Sequence, residues 1–192
     1  MAADGAQRPL RADARRNREK ILAAAVRVFA AEGLDAHLER IAKEAGVGSA
    51  TLYRNFATRE ALIEAVYRNE VAQLCDSVPD LLAHHPPFEA LRAWTRLFLD
   101  YVTAKFGMAD ALRAIAGAGG NPYGRSRDMI RAAITALLDA CAAAGAVRTD
   151  IGPADLAAAL EGIALTSAAP AHRDRAERLL TLTLDGLRPH HP

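Results

Sequence analysis

The sequence has few of the residues that build disulfide frameworks or metal centres. Its two cysteines, Cys75 and Cys141, lie far apart, and their spacing fits neither a disulfide scaffold nor a set of metal ligands. Two histidine pairs, at residues 84–85 and 190–191, each lack a third ligand at helical spacing. We therefore expect the cysteines to be small buried side chains, and we expect neither a metal nor a cofactor.

Long apolar stretches are also missing. No segment approaches the roughly 20 uncharged apolar residues that a membrane span requires. The first residues include Asp4, Arg8 and Arg11 and contain no apolar signal core. These absences predict a cytoplasmic protein without a membrane partner.

Aromatic residues make up only 5% of the chain, and no run of alternating β-branched residues is present. The sequence therefore offers little from which a β-sheet could form, whereas alanine and leucine recur at helical spacing. At 192 residues the chain can form one large domain, or a small domain and a larger one. The expected fold class is all-α, with about nine helices.

Net charge is small, at +1, but it is unevenly distributed. Residues 1–68 contain twelve lysine or arginine residues and nine acidic ones, whereas the remainder contains twelve and fourteen. The small net charge argues against a protein that coats polyanions in general. The basic excess lies in the first third of the chain.

The most informative segment is residues 38–56, which has the pattern of two short helices around a tight turn. An apolar stripe of Leu38, Ile41 and two alanines is followed by Gly46, which tolerates a positive φ. The second segment has small, hydroxyl, aromatic and cationic side chains around one strong core residue, Leu52. This pattern predicts a helix-turn-helix that reads DNA, and the alternative is an ordinary helical hairpin.

The remaining periodicity predicts a series of helices separated by glycine and proline. A supporting helix over residues 16–32 should end at Gly33, and Thr58 should cap a helix that runs to about Cys75. A break follows at residues 76–87, with a short helical piece possible at 80–83. Later helices are expected over residues 88–106, 108–116, 127–144, 153–167 and 173–187.

The last two predicted helices carry wider apolar faces than one core contact requires. Such faces indicate a subunit interface. The interface residues that we predict are Leu156, Leu160, Ile163, Leu179 and Leu182.

No catalytic arrangement can be identified. The sequence contains no recognisable set of nucleophile, base and orienting group, no carboxylate pair and no phosphate-binding glycine loop. We expect the protein not to be an enzyme. Two alternatives stay open: a helical small-molecule-binding protein or enzyme with a vestigial helix-turn-helix, and a structural DNA-binding protein without an effector.

Several motifs together resemble the signature of TetR/AcrR-type transcriptional regulators. They are residues 18–25, Phe29, Gly33, Ile41-Ala42, residues 45–47 and residues 51–56, so that the resemblance covers about residues 17–66. It implies a homodimer that represses transcription and leaves a palindromic operator when a small-molecule effector binds. The implied organisation is a flexible tail (1–14), a helix-turn-helix DNA-binding domain (15–58) and a ligand-binding and dimerisation domain (59–192).

The resemblance also implies roles for individual residues. Tyr53 and Arg59 would contact phosphates, and Ser49 and Ala50 would face base edges. The full set of expected DNA-binding residues is His37, Ser49, Ala50, Thr51, Tyr53, Arg54 and Arg59. The chain departs from the usual pattern at His37, Gly48, Ser49 and Asn55, which affects the operator sequence and not the fold.

An effector pocket would need an apolar wall with a few polar groups. The candidates are Trp94, Phe98, Tyr101, Met108, Arg113 and Tyr123. Simple core packing is the alternative for Trp94 and Phe98, a solvent-facing position is the alternative for Arg113, and loop structure is the alternative for Tyr123.

Overall fold

A computed structural model describes residues 7–167 and 172–189, and in these ranges the chain forms ten α-helices and no β-strand. The predicted all-α class is confirmed. The helices are α1 (Gln7–Glu32), α2 (Leu38–Glu44), α3 (Ser49–Asn55), α4 (Arg59–Asp76), α5 (Val78–His84), α6 (Pro87–Gly107), α7 (Ala109–Gly117), α8 (Gly124–Ala143), α9 (Pro153–Thr166) and α10 (Arg173–Gly186).

The first helix is longer than the sequence predicts. It begins at Gln7 and not near residue 16, so that residues 7–14 are helical where a tail is expected. Pro9 stands in the first turn, where its missing N–H group would have no helical partner in any case. Residues 1–6 of the predicted tail lie outside the described residues.

The chain divides into two compact units. Unit 1 comprises residues 1–69 and 107–120, and unit 2 comprises residues 70–106 and 121–192. The division falls within α4 and assigns α7 to unit 1, whereas the predicted domain boundary precedes α4.

The core of unit 1 joins the first four helices. Ile21, Ile41, Leu52 and Leu62 are completely buried, so that each of these helices contributes a side chain to one apolar centre. Two ion pairs, Arg27–Glu44 at 3.3 Å and Arg40–Glu32 at 3.2 Å, join α1 to α2 at the surface. Thr58 caps α4 as predicted, because its hydroxyl accepts a hydrogen bond from the backbone N–H of Ala61 at 3.1 Å.

The turn between α2 and α3 depends on Gly46. This residue has φ +66°, and its N–H donates to the carbonyl of Lys43 at 3.1 Å. The next N–H, of Val47, donates to the carbonyl of Ala42 at 3.0 Å, which completes a Schellman motif. The turn thus satisfies the last carbonyls of α2 while it redirects the chain into α3.

Arg59, the first residue of α4, fastens the loop between α1 and α2. Its Nη1 donates to the carbonyls of Leu34 at 2.5 Å and Ala36 at 2.7 Å, and the side chain is partly buried. The loop lies directly before α2, so these bonds position the start of the helix-turn-helix.

The core of unit 2 is built from its long helices. Trp94, Leu137 and Leu160 are at most 1% exposed, and they lie on α6, α8 and α9 respectively. The indole N–H of Trp94 donates to the carbonyl of Leu74 at 2.9 Å, which satisfies the one polar group of this side chain.

We predict that Gly46→Ala destabilises the protein by about 1 kcal/mol, because an L-residue is strained in the left-handed region. Gly48→Ala is the matched control, since Gly48 has φ −71° and a Cβ would meet no atom within 4 Å. The control should change the free energy of unfolding by about 0.5 kcal/mol or less in urea titrations, because the weaker N-cap that alanine provides is offset by the smaller conformational entropy of the unfolded chain. Equal effects of the two substitutions would contradict the assignment of strain to Gly46.

Arg59→Met should lower the free energy of unfolding by about 1–3 kcal/mol, because two carbonyls lose a charged donor. Arg54→Met serves as the control. The Arg54 side chain is exposed, and its hydrogen bonds to other described residues all lie within α3, so this change should cost about 0.5 kcal/mol or less. Urea unfolding of both variants decides whether Arg59 has this structural role.

Candidate nucleic-acid interface

Helix α3 buries very few of its side chains in unit 1. Of its seven residues, Leu52 alone is fully buried, and Phe56 directly after the helix is 2% exposed. Exposed side chains on the helix are Ser49, Ala50, Tyr53 and Arg54, while Thr51 and Asn55 are half-buried. A helix that packs on one side only, with polar groups elsewhere, is suited to the major groove of DNA.

Arg54 offers a cationic group on this surface. Its Nε donates to the carbonyl of Ala50 at 3.2 Å, and Nη2 donates to the hydroxyl of Thr51 at 3.0 Å. Within the ranges that the structure describes, no carboxylate lies within 4.0 Å of this guanidinium. The positive charge of Arg54 is therefore not neutralised by an ion pair there.

Tyr53 is bound to an acidic residue of α2. Its hydroxyl donates to Oε1 of Glu39 at 3.2 Å, and the tyrosine is 44% exposed. Hydrogen bonds from the backbone at Glu39 and from Tyr53 lower the pKa of the carboxyl group, and the same contact raises the pKa of the Tyr53 hydroxyl. His37 and Arg59 also act electrostatically on Glu39.

The structure therefore brings together a group that the sequence only partly predicts. His37, Tyr53 and Arg59 are expected DNA-binding residues, and all three influence Glu39, which is not among the expected ones. Glu39 and Tyr53 stand fourteen positions apart across the turn. No helical spacing relates them, so the sequence pattern carries no signal of this contact.

A further cation lies at the end of α3. The guanidinium carbon of Arg18 is 4.4 Å from the centre of the Phe56 ring. The side chain of Arg18 is exposed, and the contact holds its charge beside the residue at which α3 ends.

The predicted effector residues are distributed over both units. Trp94, Phe98, Tyr101 and Tyr123 belong to unit 2, and Met108 and Arg113 belong to unit 1. The rings of Trp94 and Phe98 are 5.7 Å apart and those of Phe98 and Tyr101 are 5.9 Å apart, so α6 carries a row of buried aromatic residues.

Burial and contacts in the structure can be compared with the alternatives to effector binding, which are core packing for Trp94, a solvent-facing position for Arg113 and loop structure for Tyr123. Trp94 is completely buried, which is the core-packing alternative. Arg113 is exposed and forms an ion pair with Asp110 at 2.5 Å. Tyr123 is half-buried, and Nζ of Lys105 lies 5.3 Å from the centre of its ring.

The predicted interface residues divide into two groups. Leu156, Leu160 and Ile163 are buried in their own chain, where α9 packs against both α8 and α10. These three side chains leave almost no surface for a partner subunit, because the same chain already covers this part of α9. Leu182 is 70% exposed and Leu179 is half-buried, and a residue outside the predicted set, Leu165, is 72% exposed.

Other kinds of site find little support in the described residues. Among residues 7–167 and 172–189, no three histidine, cysteine or acidic side chains come together as metal ligands, and His190 and His191 lie outside these ranges. Burial raises the pKa of the Cys75 and Cys141 thiols to about 11, so both are protonated at neutral pH. No helix in the same ranges combines the length and apolar character needed to cross a bilayer.

Two protein-family models match this chain, one in its N-terminal part and one in its C-terminal part. Residues 21–66 match the family of bacterial regulatory proteins of the tetR type. Residues 86–189 match the C-terminal domain of SbtR-like transcriptional regulators.

Solved structures extend the similarity to nearly the whole chain. A TetR transcriptional regulator from Streptomyces coelicolor is 72% identical, with 91% of this chain and 99% of that chain covered and a TM-score of 0.84. A TetR transcription regulatory protein from Mycobacterium vanbaalenii is 36% identical, with 94% and 100% covered and a TM-score of 0.76. The exposed recognition helix and these relatives lead to one conclusion: the chain belongs to the TetR family of DNA-binding transcriptional regulators.

Proposed function

We propose that the protein acts as a homodimeric repressor that binds a palindromic operator and is released by a small-molecule effector. The observation that carries the proposal is the exposure of α3. Leu52 is the only residue of this helix that is fully buried. Two such helices related by a two-fold axis would enter successive major grooves about 34 Å apart.

The DNA contacts divide into base contacts and phosphate contacts. We assign Ser49, Ala50, Thr51 and Arg54 to base edges, because they lie on α3 with exposed or half-buried side chains. Arg54 is suited to a guanine, whose O6 and N7 accept a bidentate pair of hydrogen bonds.

Phosphate contacts are assigned to His37, Tyr53 and Arg59. His37 is exposed at the start of α2 and makes no capping hydrogen bond, so its ring is available to DNA. Arg59 uses Nη1 for two loop carbonyls, so its Nε and Nη2 groups would serve the phosphate. Its contribution would combine positioning of the loop with contact to the backbone.

A second subunit would cover the exposed surface of α9 and α10. Leu165 and Leu182 are large apolar side chains that water contacts in the single chain. Ala158 and Gly162, at helical spacing from Leu165, are exposed and small, which allows a partner helix to approach closely. We therefore place the dimer contact at Leu165, Leu179 and Leu182.

The effector would be bound by side chains of the central helices. We keep Phe98, Tyr101 and Tyr123, which all belong to unit 2, as its contacts, with the rings of Phe98 and Tyr101 as apolar wall and Tyr123 as polar group. Met108 and Arg113 belong to unit 1, and for them an effector contact stays a prediction from the sequence. Trp94 is better suited to packing, since its indole N–H already bonds to Leu74. Binding shifts the dimer between two arrangements only if the effector prefers one of them.

Two further expectations belong to this proposal. We expect no catalytic activity, because the candidate site consists of groups that contact DNA and an unidentified effector. We also expect the protein in the cytoplasm, where operator DNA is accessible.

Footprinting across the protein's own promoter, and across any divergent neighbouring promoter, tests the central proposal. Wild-type protein should protect two half-sites, and candidate small molecules should be screened for loss of that protection. Arg54→Met should weaken operator binding on the order of 10- to 100-fold, since one base contact contributes about 1–3 kcal/mol. Protection that is unaffected by Arg54→Met would remove Arg54 from base recognition, and absence of any protected site would contradict the proposed function.

Leu182→Arg should convert the dimer to a monomer, because it places a charge in the proposed apolar contact. Light scattering coupled to size exclusion measures the mass. Leu97→Arg is the matched control, since Leu97 is 42% exposed on α6 and lies outside the proposed contact. A Leu182→Arg protein that stays dimeric would show that the subunits meet elsewhere.

A further inference from the structure

Glu39 differs from Glu32 and Glu44, two other acidic side chains near α2. Arg40 lies 3.2 Å from Glu32 and Arg27 lies 3.3 Å from Glu44, so arginines neutralise both carboxylates. Over the described part of the chain, no cation lies within 4.0 Å of the Glu39 carboxylate. Its carboxylate accepts a side-chain hydrogen bond from the Tyr53 hydroxyl at 3.2 Å.

Glu39 is ionised at neutral pH. It lies in the first turn of α2, where the backbone hydrogen bond at Glu39 is the largest cause of its lowered pKa. The residue is exposed. An unpaired negative charge therefore stands on the same surface as the tyrosine that the proposed function assigns to a phosphate.

A hydroxyl group can donate only one hydrogen bond at a time. A phosphate that accepts from Tyr53 must displace Glu39, and the released carboxylate then remains near the phosphate. Two negative charges at that separation repel each other, and the loss of the Tyr53–Glu39 bond adds to the cost.

We propose that Glu39 limits the affinity for DNA by holding the Tyr53 hydroxyl and by placing a carboxylate beside the phosphate that would accept it. This inference rests on the proposed function, because it assumes that Tyr53 meets the DNA backbone. Phosphate contacts act on every sequence, so Glu39 would reduce binding to non-operator DNA as well as to the operator.

The experiment compares Glu39→Gln with wild type on a short fluorescent duplex of mixed sequence. The affinity should rise about four-fold for each subunit that contacts the duplex, as expected when a like charge roughly 5 Å from a phosphate in water is removed. The gain should shrink as salt is added. In a Tyr53→Phe background the same change should raise affinity less, because no hydroxyl remains to be released.

Glu60→Gln is the matched control. Glu60 is also an exposed glutamate in the first turn of a helix, here α4, so its replacement makes the same change in net charge and in helix-end electrostatics. Affinity that rises equally in both variants would overturn the inference, because the gain would then come from net charge alone. Unchanged or weaker binding by Glu39→Gln would also overturn it, since Glu39 would then be neutral or helpful to binding.

A second measurement needs no DNA. Alkaline absorbance titration, with Tyr53→Phe subtracted, reports the pKa of the Tyr53 hydroxyl. Glu39→Gln should lower that pKa toward the ordinary tyrosine value, since the Glu39 charge and hydrogen bond raise it in the wild type. An unchanged pKa would overturn the contact on which the inference depends.

The two measurements separate the possible failures. If neither wild type nor any variant binds duplex DNA, both the proposed function and this inference are overturned. If all bind DNA equally, only the inference is overturned.

Discussion

The burial of Leu52 is the constraint on which the DNA-facing surface depends. A seven-residue helix is not stable alone in water, because nucleation costs more than so few hydrogen bonds return. Leu52, with Phe56 directly after the helix, fastens α3 to its unit. Any further apolar residue on α3 would add stability, but it would also remove a side chain from the surface that meets DNA. The helix therefore combines minimal anchoring with maximal exposure.

The elements next to α3 position this short helix, which buries too little to be held in place by its own contacts. The Schellman motif at Gly46 determines the direction in which the chain leaves α2. Arg59 holds the loop that leads into α2 by two hydrogen bonds to carbonyls. A charged group that was expected only at DNA thus also supports the fold. Arg59 can position the helix-turn-helix and also bind a phosphate, because a guanidinium has several separate N–H donors.

The wide apolar faces of α9 and α10 are only partly available to a second subunit. Helix α9 packs against α8 and α10, so most of its apolar stripe is core, and only Leu165 among its large apolar side chains reaches water to any great extent. Leu182 of α10 is exposed in the same way. A wide apolar face in the sequence therefore indicates that a helix packs against several other helices. It does not show whether those helices belong to the same chain or to a second subunit.

The sequence by itself determined the all-α class, the turn at Gly46, the cap at Thr58 and the position of the recognition helix, but it did not predict that α1 begins at Gln7. These features arise from local causes: helical periodicity, the freedom of glycine at positive φ and the hydrogen bonds of helix ends. Tertiary structure alone decided that Glu39 holds Tyr53, that Arg59 bonds to the α1–α2 loop and that Leu156 and Leu160 are core residues. Each of these depends on which distant elements pack together, and residue spacing within one helix carries no information about that.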